Sequence, residues 1–553
     1  MDADLRQRLF TRWGQLKRER ASWDAHWKDI AEVLLPRSGR FFVQDRNRGE
    51  RRHNAIYDSS GTRALRTLAA GLMSGMTSPA RPWFRLAVSD QALGQSDAVK
   101  TWLADVERIM RAVFNRSNTY RALHTLYEEL GAFGSAACIV ETDFNTIVHH
   151  YPLAVGEYCI ATNWRGEVDT LYRELQKTVR ELVAEFGIEN VSQTVRGMFE
   201  RGSLDQWVTV IHAIEPRRDR DPNKRDNLNM PFRSVYFELG SNPDRVLRES
   251  GYRRFPALCP RWAVSGGDVY GSSPGMEALG DIKQLQHEQL RKAQCIDFQT
   301  KPPLQVPASM KNRDVEMLPG GISYVDMAGP ESRIRSAFDV NLRLDYLLAD
   351  IQDVRSRIDG AFYADLFLML QGQDTRMTAT EVAERREEKL LMLGPVLERL
   401  QNELLDPLID LTFDALSEAS VLPIPPQELQ GQDVHVELVS MLSQAQRAIA
   451  TNSIDRFVAN LGAVAQVKPE ALDRLDADVW VETYADALGI DPRLVVPYEK
   501  VQALRQARAE AAAQAQKAQQ EAQGAEVAQR LASARLDTPS ALTEATRAFS
   551  GYN

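Results

Sequence analysis

The change from strand-like to helical segments near residue 273 most constrains the fold of this 553-residue chain. Before it, short segments rich in β-branched and aromatic residues, such as SAACIVETD at 135–143, alternate with turn residues. After it, apolar residues recur at helical spacing over long runs. The pattern predicts an α+β protein that is mainly helical, in which the strands are concentrated before residue 273.

Helical periodicity also marks the beginning of the chain. Residues 5–35 carry apolar side chains at helical spacing as far as Pro36, which predicts one long helix. Residues 96–132 predict two helices separated near Asn118, whose side chain is a candidate cap for the second. Strands are then predicted as a meander within 135–162, and further strands at 206–214, 233–239 and 245–252.

The uncharged segment LAAGLMSGM, from Leu68 to Met76, is too short to cross a membrane, because a bilayer requires about 20 residues. It predicts a helix that begins near Asp58 and ends before Pro79. Gly71 and Gly75 leave a shallow face that another backbone can approach. Two interpretations stay open, a core helix packed inside its own subunit and a contact between subunits.

The second part of the chain predicts four long helical segments. Ser273-Pro274 begins a helix that runs to about Gln299, and a second helix covers about Asn341 to Leu370. A third runs from about Thr380 to Ala419 with possible kinks at prolines, and a strand follows it. The segment 500–533 is rich in Ala and Gln with a sparse apolar stripe, so its own subunit holds it weakly.

The sequence contains little that indicates catalysis. GSSPG at 271–275 matches a nucleophile-elbow pattern, but Pro274 removes the backbone N–H that completes an oxyanion hole. Ser273 is better explained as a helix cap. His149 and His150 are adjacent in a predicted strand and point to opposite faces, so they are poor co-ligands for a metal. We therefore predict a structural or interaction protein that is not an enzyme and has no cofactor or metal.

Charge and cysteine content narrow the class further. The net charge of −9 argues against a protein that coats nucleic acid. The four cysteines are far apart and form no CxxC pair, which suits a reducing compartment. The N-terminal sequence lacks the pattern of a signal peptide, and no segment reaches transmembrane length, so we expect a cytosolic protein with no membrane partner.

Three segments resemble the portal proteins, or head-to-tail connectors, of short-tailed double-stranded DNA bacteriophages. They are Tyr57-Asp58 through Trp83-Phe84, YGSSPGMEALGDIKQL at 270–285, and TATEVAERREEKLLMLGPVLERLQNELLDPLI at 378–409. The resemblance implies a ring, usually a dodecamer, at one capsid vertex. Its partners would be the terminase (the packaging ATPase), a tail adaptor, capsid and scaffolding proteins, and DNA that passes without sequence specificity. The protein would be assembled in the host cytoplasm and located in the virion.

The resemblance also implies a division of the chain into named segments. These are a wing (1–273), a first stem helix (274–300), a clip (301–340), a second stem helix (341–370), a tunnel loop (371–378), a long wing helix with its following strand (379–440), and a helical crown or barrel (441–553).

Two sets of residues are candidate functional positions under this resemblance. In the tunnel loop, Gln371, Gln373 and Arg376 are expected to face DNA. In the stem, a basic stripe on the first helix is expected to face an acidic band on the second, within a subunit or across the ring interface. The basic stripe consists of Lys283, His287 and Arg291, and the acidic band consists of Asp345, Asp350 and Asp353. The alternatives are a nucleic-acid-processing enzyme with an unrecognised site and, third, a cytosolic scaffold.

Overall fold

A computed structural model gives the fold. It describes residues 2–41, 55–88, 96–224, 226–240, 246–300, 344–370, 393–429, 434–438, 457–465, 475–488 and 498–533, with the pairs 304–305 and 335–336 and a few single positions. The chain divides into two compact units, Met1–Ala450 and Thr451–Asn553. Each unit is described by itself.

The helices of the first unit include those that the periodicity predicts, together with two short helices at 179–186 and 193–200 that were not predicted. They are α1 (Asp2–Val33), α2 (Ser60–Met76), α3 (Asp97–Arg116), α4 (Thr119–Phe133), α5 (Val179–Phe186), α6 (Gln193–Glu200), the short α7 (Pro274–Glu277), α8 (Leu279–Thr300), α9 (Leu344–Ala361), α10 (Ala364–Leu370) and α11, whose described part is 393–418.

The strands of this unit form small antiparallel sheets. They are β1 (Phe84–Val88), β2 (Ala137–Asp143), β3 (Ile147–Leu153), β4 (Tyr158–Thr162), β5 (Val168–Thr178), β6 (Trp207–Pro216), β7 (Phe232–Glu238), β8 (Arg248–Tyr252), β9 (Ala257–Leu258), β10 (Leu304–Gln305), β11 (Arg335–Ser336) and β12 (Val434–Leu438). The predicted meander is wrong in one respect, because β2 pairs with β3 and β9 in one sheet whereas β4 begins the separate five-stranded sheet β4-β5-β6-β7-β8.

Strand β12 pairs with β1, although the two lie far apart in the sequence. The register places Phe84 opposite Leu438 and Val88 opposite Val434. Phe84, Leu86 and Val88 are buried on this ladder. The first unit is therefore completed by a segment near its carboxyl end.

Helix α2 packs in the core of its own unit, which confirms the first of the two interpretations of the LAAGLMSGM segment. Leu65, Leu68 and Leu72 are fully buried. A Cβ added at Gly71 would overlap the ring of Phe367, so only glycine allows α10 to approach this closely.

The predicted boundary at Asn118 is confirmed, but its predicted role as a cap is wrong. Asn118 makes no capping hydrogen bond to α4. Its amide instead pairs with the backbone of His150, because its Nδ2 donates to the His150 carbonyl at 2.7 Å and its Oδ1 accepts from the His150 N–H at 2.9 Å. The side chain of Asn118 therefore forms hydrogen bonds with β3 in place of a cap on its own helix.

The helix predicted over 341–370 is interrupted. Helix α9 ends at Ala361 and α10 begins at Ala364, and Tyr363 between them has a positive φ of 53°. The apolar stripe is only partly buried, because Ile351, Val354 and Ile358 are inside whereas Leu348 is 44% exposed.

Helix α11 adapts to one of its prolines by widening. The stretch 393–400 is helical through Pro395, and Gln401–Leu405 form a π-helical turn before the α-helix resumes at Asp406–Glu418. A proline in a helix lacks an N–H and clashes with the carbonyl four residues earlier. The π turn lies immediately before Pro407, where it can relieve that clash, and the kinks predicted at the prolines stay predictions.

The second unit contains a helical stretch at 457–465, α12 (Ala477–Leu488) and α13 (Tyr498–Ser533). Arg505 of α13 forms a bidentate ion pair with Asp478 of α12, with distances of 2.6 and 2.7 Å. From position 502 to position 526 every side chain is exposed. The helix predicted over 500–533 is therefore confirmed, as is its sparse apolar face.

Candidate functional site

Helix α7, which leads into α8, begins at a buried cap. Ser273 Oγ accepts a hydrogen bond from the Met276 N–H at 3.0 Å and donates to the Ala132 carbonyl at 2.8 Å. Its side chain is enclosed, with 1% of the residue exposed. The interpretation of Ser273 as a helix cap is confirmed, and Pro274 occupies the first turn, where a missing N–H costs little.

Helices α8 and α9 bury apolar side chains near this turn and expose them farther away. Ile282 and Leu285 of α8 lie in one core cluster with Ile351, Val354 and Ile358 of α9.

Toward the carboxyl end of α8 and the start of α9, large apolar side chains lie in solvent. Phe298 is 52% exposed and Tyr346 is 74% exposed, and Ile296 and Leu348 exceed 40%. Exposed apolar surface of this extent on facing helices is typical of a protein–protein contact.

The basic stripe finds other partners within the protomer. Lys283 Nζ lies 2.9 Å from Asp29 Oδ2 of α1. Arg291 contacts His287 Nε2 at 3.4 Å and Gln294 Oε1 at 3.3 Å along its own helix. The predicted pairing with the acidic band is therefore not made by Lys283 or Arg291 inside the described protomer, and its form across a ring interface stays a prediction.

The acidic band is partly neutralised from within its own helix. Arg357 lies 3.3 Å from Asp353 and also reaches Asp281 of α8 at 3.0 Å. Asp350 instead faces the carboxyl group of Glu288. Burial raises the pKa of Glu288, and the nearby Asp350 carboxyl adds to the effect. One salt bridge and one carboxyl pair thus join the two helices.

A buried network that the sequence does not predict fixes the start of α2 against both helices. Gln286 Oε1 accepts from the N–H groups of Tyr57 (2.6 Å) and Asp58 (2.8 Å). Arg355 of α9 lies 2.7 Å from Asp58 Oδ2. Burial raises the pKa of Asp58, but hydrogen bonds from Ser60 and Arg355 outweigh it and hold the pKa below its usual value.

These partners had only a weak signal in the sequence. The sequence predicts that α2 begins near Asp58, and Asp58 Oδ1 accepts from the Ser60 N–H at 2.8 Å. Gln286 and Arg355 have no local pattern that sets them apart from solvated helix residues, so the contact depends on tertiary structure.

A family model described as "Bacteriophage head to tail connecting protein" matches residues 6–496. The chain belongs to this family. The resemblance noted from the sequence is thereby confirmed, and the connector is a component of the phage virion.

Two relatives of the connector match over almost their whole length. The chain is 64% identical over 548 residues to the "Probable portal protein" of Bordetella phage BPP-1, which covers 99% of each chain. It is 47% identical over 543 residues to the "Portal protein" of Salmonella phage epsilon15, which covers 97% of each chain. It is also 22% identical to the "Portal protein" of Pseudomonas phage phiKMV, over 84% of this chain and 88% of the relative.

The candidate tunnel-loop positions lie outside the described residues; they are Gln371, Gln373 and Arg376. Within the described ranges, no cluster of His, Cys, Asp and Glu side chains is arranged to hold a metal ion. Those same ranges contain no helix with the length and apolar character that a bilayer crossing requires.

Proposed function

We propose that the connector is the subunit of a portal ring at one capsid vertex, through which double-stranded DNA enters and leaves the head. The observation that carries this proposal is its near full-length similarity to two phage portal proteins at 64% and 47% identity. The terminase motor and later a tail adaptor would dock on the ring, and capsid and scaffolding proteins would surround it. Assembly in the host cytoplasm and a count of twelve subunits follow from the same proposal.

The exposed apolar side chains of α8 and α9 support an assembly of copies. Ile296, Phe298, Tyr346 and Leu348 lie in solvent in the isolated protomer. In a ring, the equivalent helices of the next copy would cover them, and burial of apolar area contributes about 25 cal/mol per Å².

The proposal also assigns a part of the ring to each segment of the chain. In this proposal α8 and α9 form the stem, 301–340 forms the clip, 371–378 forms the tunnel loop, 1–273 and 379–440 form the wing, and 441–553 forms the crown or barrel.

The acidic balance of the chain suits a channel. A net charge of −9 per protomer disfavours tight retention of phosphates, so DNA can slide.

Arg376 would be the cation of the tunnel loop that meets the phosphate backbone. Replacing Arg376 with Ala should change genome packaging or retention while rings still form, and failure to form rings would contradict that role.

The test is the oligomeric state of the purified full chain. Negative-stain images should show rings with a central hole, and native mass measurement should give one closed multiple of the 62.3 kDa protomer. A monomer that persists across micromolar concentrations would contradict the proposal.

The second candidate, a nucleic-acid-processing enzyme, is tested in the same preparation. We expect no hydrolysis of ATP by the ring alone, because the chemistry of packaging would belong to the separate motor. Robust intrinsic ATPase activity, lost on removal of a single side chain, would favour the enzyme.

A further inference from the structure

The turn between β4 and β5 presents a tryptophan almost wholly to solvent. Trp164 is 87% exposed, and the guanidinium of Arg165 lies 4.9 Å from its ring centre. We call residues 163–167 the Trp164 turn. Tryptophan is costly to expose and is the residue type most enriched among the anchors of protein interfaces.

The Trp164 turn is rigid because its backbone is held by side chains. Asn163 Oδ1 accepts from the N–H groups of Arg165 (2.8 Å) and Glu167 (3.1 Å), and Asn163 Nδ2 donates to Glu167 Oε2 at 2.8 Å. Gly166 supplies the positive φ of 81° that closes the turn. An anchor held in place before binding loses little conformational entropy when it binds.

The same turn is fastened to the core of the protomer. The buried Arg261 donates from Nη2 to the Gly166 carbonyl at 2.7 Å and to Glu403 Oε1 at 2.7 Å. Glu403 lies in the π-helical turn of α11. The position of Trp164 is therefore fixed relative to the body of the first unit.

A recess lies at the opposite end of the β4–β5 hairpin, between α1 and β5. It has a volume of about 750 Å³. Its walls include Phe41, Tyr151 and Leu153, together with six carboxylates and six cationic side chains. We call it the α1–β5 recess.

The character of the α1–β5 recess favours an amphipathic, uncharged ring. Its charges are largely paired, as Lys17 with Glu174 at 3.1 Å and Arg173 with Glu141 at 3.7 Å. An indole can stack on an arginine and donate its N–H to a carboxylate. A nucleic-acid phosphate would find no excess of positive charge, because the six carboxylates balance the six cationic side chains.

The turn and the recess cannot meet within one protomer. Glu174, which lines the recess, lies six positions along β5 from Val168, which is beside the turn. At about 3.3 Å per residue this distance is roughly 20 Å. A protruding anchor and a recess at opposite ends of one rigid element are what a head-to-tail contact requires, and such contacts generate rings when the rotation closes.

We propose that the Trp164 turn of one protomer inserts into the α1–β5 recess of the next copy, and that this contact repeats around the ring. The inference rests on the ring proposed above. It adds a contact within the α+β part of the chain to the one expected between stem helices.

The first test measures ring stability with the full-length chain. Trp164→Ala should raise the protomer concentration at which half the rings dissociate by about thirtyfold, the effect of an interface anchor worth about 2 kcal/mol. Trp164→Phe should retain part of the affinity. Ile424→Ala, at a side chain that is 93% exposed elsewhere, is the matched control and should leave dissociation unchanged.

The second test is cross-linking in a Cys295→Ser background, because the other three cysteines are buried. Trp164→Cys combined with Tyr151→Cys should give a ladder of covalent multimers with a short bis-maleimide, whereas either single variant should not.

The inference would be overturned if the Trp164→Ala variant forms rings of normal stability and the double-cysteine variant gives no ladder of covalent multimers. That result would leave the portal proposal intact. The same holds if Trp164→Ala rings are normal but fail to enter heads, which would identify a coat protein as the occupant. Failure of the unmodified chain to form any ring would instead overturn the portal proposal.

Discussion

At the scale of single residues, burial decides the protonation state of the inward-facing histidines. Arg173 Nε donates to His212 Nδ1 at 3.1 Å, so this nitrogen is unprotonated and Nε2–H donates to Ser234 Oγ at 2.9 Å. Burial, together with Arg173 and Arg248, lowers the pKa of His212. Burial likewise lowers the pKa of His150 to about 4. Both rings are neutral at pH 7 and act as structural hydrogen-bonding groups.

Glu129 of α4 makes the stability of the first unit depend on pH. It is fully buried, and burial raises its pKa to about 8, although Ser38 Oγ donates to it at 2.6 Å. The native state therefore holds a proton that the unfolded state loses near pH 4.5. The contribution of Glu129 to the free energy of unfolding is fully present below pH 4.5 and is lost as pH rises through about 8.

Glu129→Gln should abolish this dependence, because glutamine stays neutral and still accepts from Ser38. We expect the variant to be more stable than the unmodified protein at pH 9, by up to a few kcal/mol, with little difference at pH 4.5. Urea denaturation at pH 4.5, 7 and 9 measures it, with Glu128→Gln as the neighbouring control. A Glu129→Gln variant that is less stable at pH 9 would mean that the fold favours the ionised carboxylate of Glu129, which contradicts a raised pKa.

At the scale of elements, periodicity and proline positions predicted most helices, whereas partners of strands were not predictable. The end of α1 before Pro36 and the start of α7 at Pro274 follow from local rules. The pairing of β1 with β12 does not, because nothing local to either segment specifies the other. The break at Tyr363 was likewise hidden, since the apolar spacing continues through it.

The contact between α2 and α10 requires a glycine. Gly71→Ala would drive a methyl group into Phe367, which should destabilise the fold by about 1–3 kcal/mol. Gly14→Ala in α1 has nothing within 4 Å and should stabilise by about 0.5–1 kcal/mol. Thermal or urea unfolding of the two variants compares them directly. Equal stabilities would show that α10 moves away from α2 at no cost.

The charges of α8 and α9 provide a test of the ring interface. If Arg291 of one protomer faces Asp345 of the next, Arg291→Asp and Asp345→Arg should each weaken the ring slightly, because an exposed pair contributes about 0–1 kcal/mol. The double swap should restore the ring. Dissociation of all three variants on dilution measures the effect, and an absence of rescue would end the idea of pairing across the interface.

At the scale of the whole molecule, the two units should differ in how much assembly depends on them. A chain ending at residue 499 lacks nearly all of α13, whose side chains are exposed from position 502 to position 526, and should still form rings. A chain ending at residue 433 lacks β12, uncovers Phe84 and Leu86, and should aggregate. Size-exclusion chromatography separates these outcomes. Loss of rings in the longer chain would make α13 part of the assembly core.

The union of β1 with β12 also sets the order of events during synthesis. The ribosome must make about 350 further residues after β1 before its partner exists, which takes roughly 20–70 s at 5–20 residues per second. A nascent chain that has not yet reached β12 therefore has an incomplete first unit. We expect rings to grow from chains that have completed β12, and not from shorter nascent chains on polysomes.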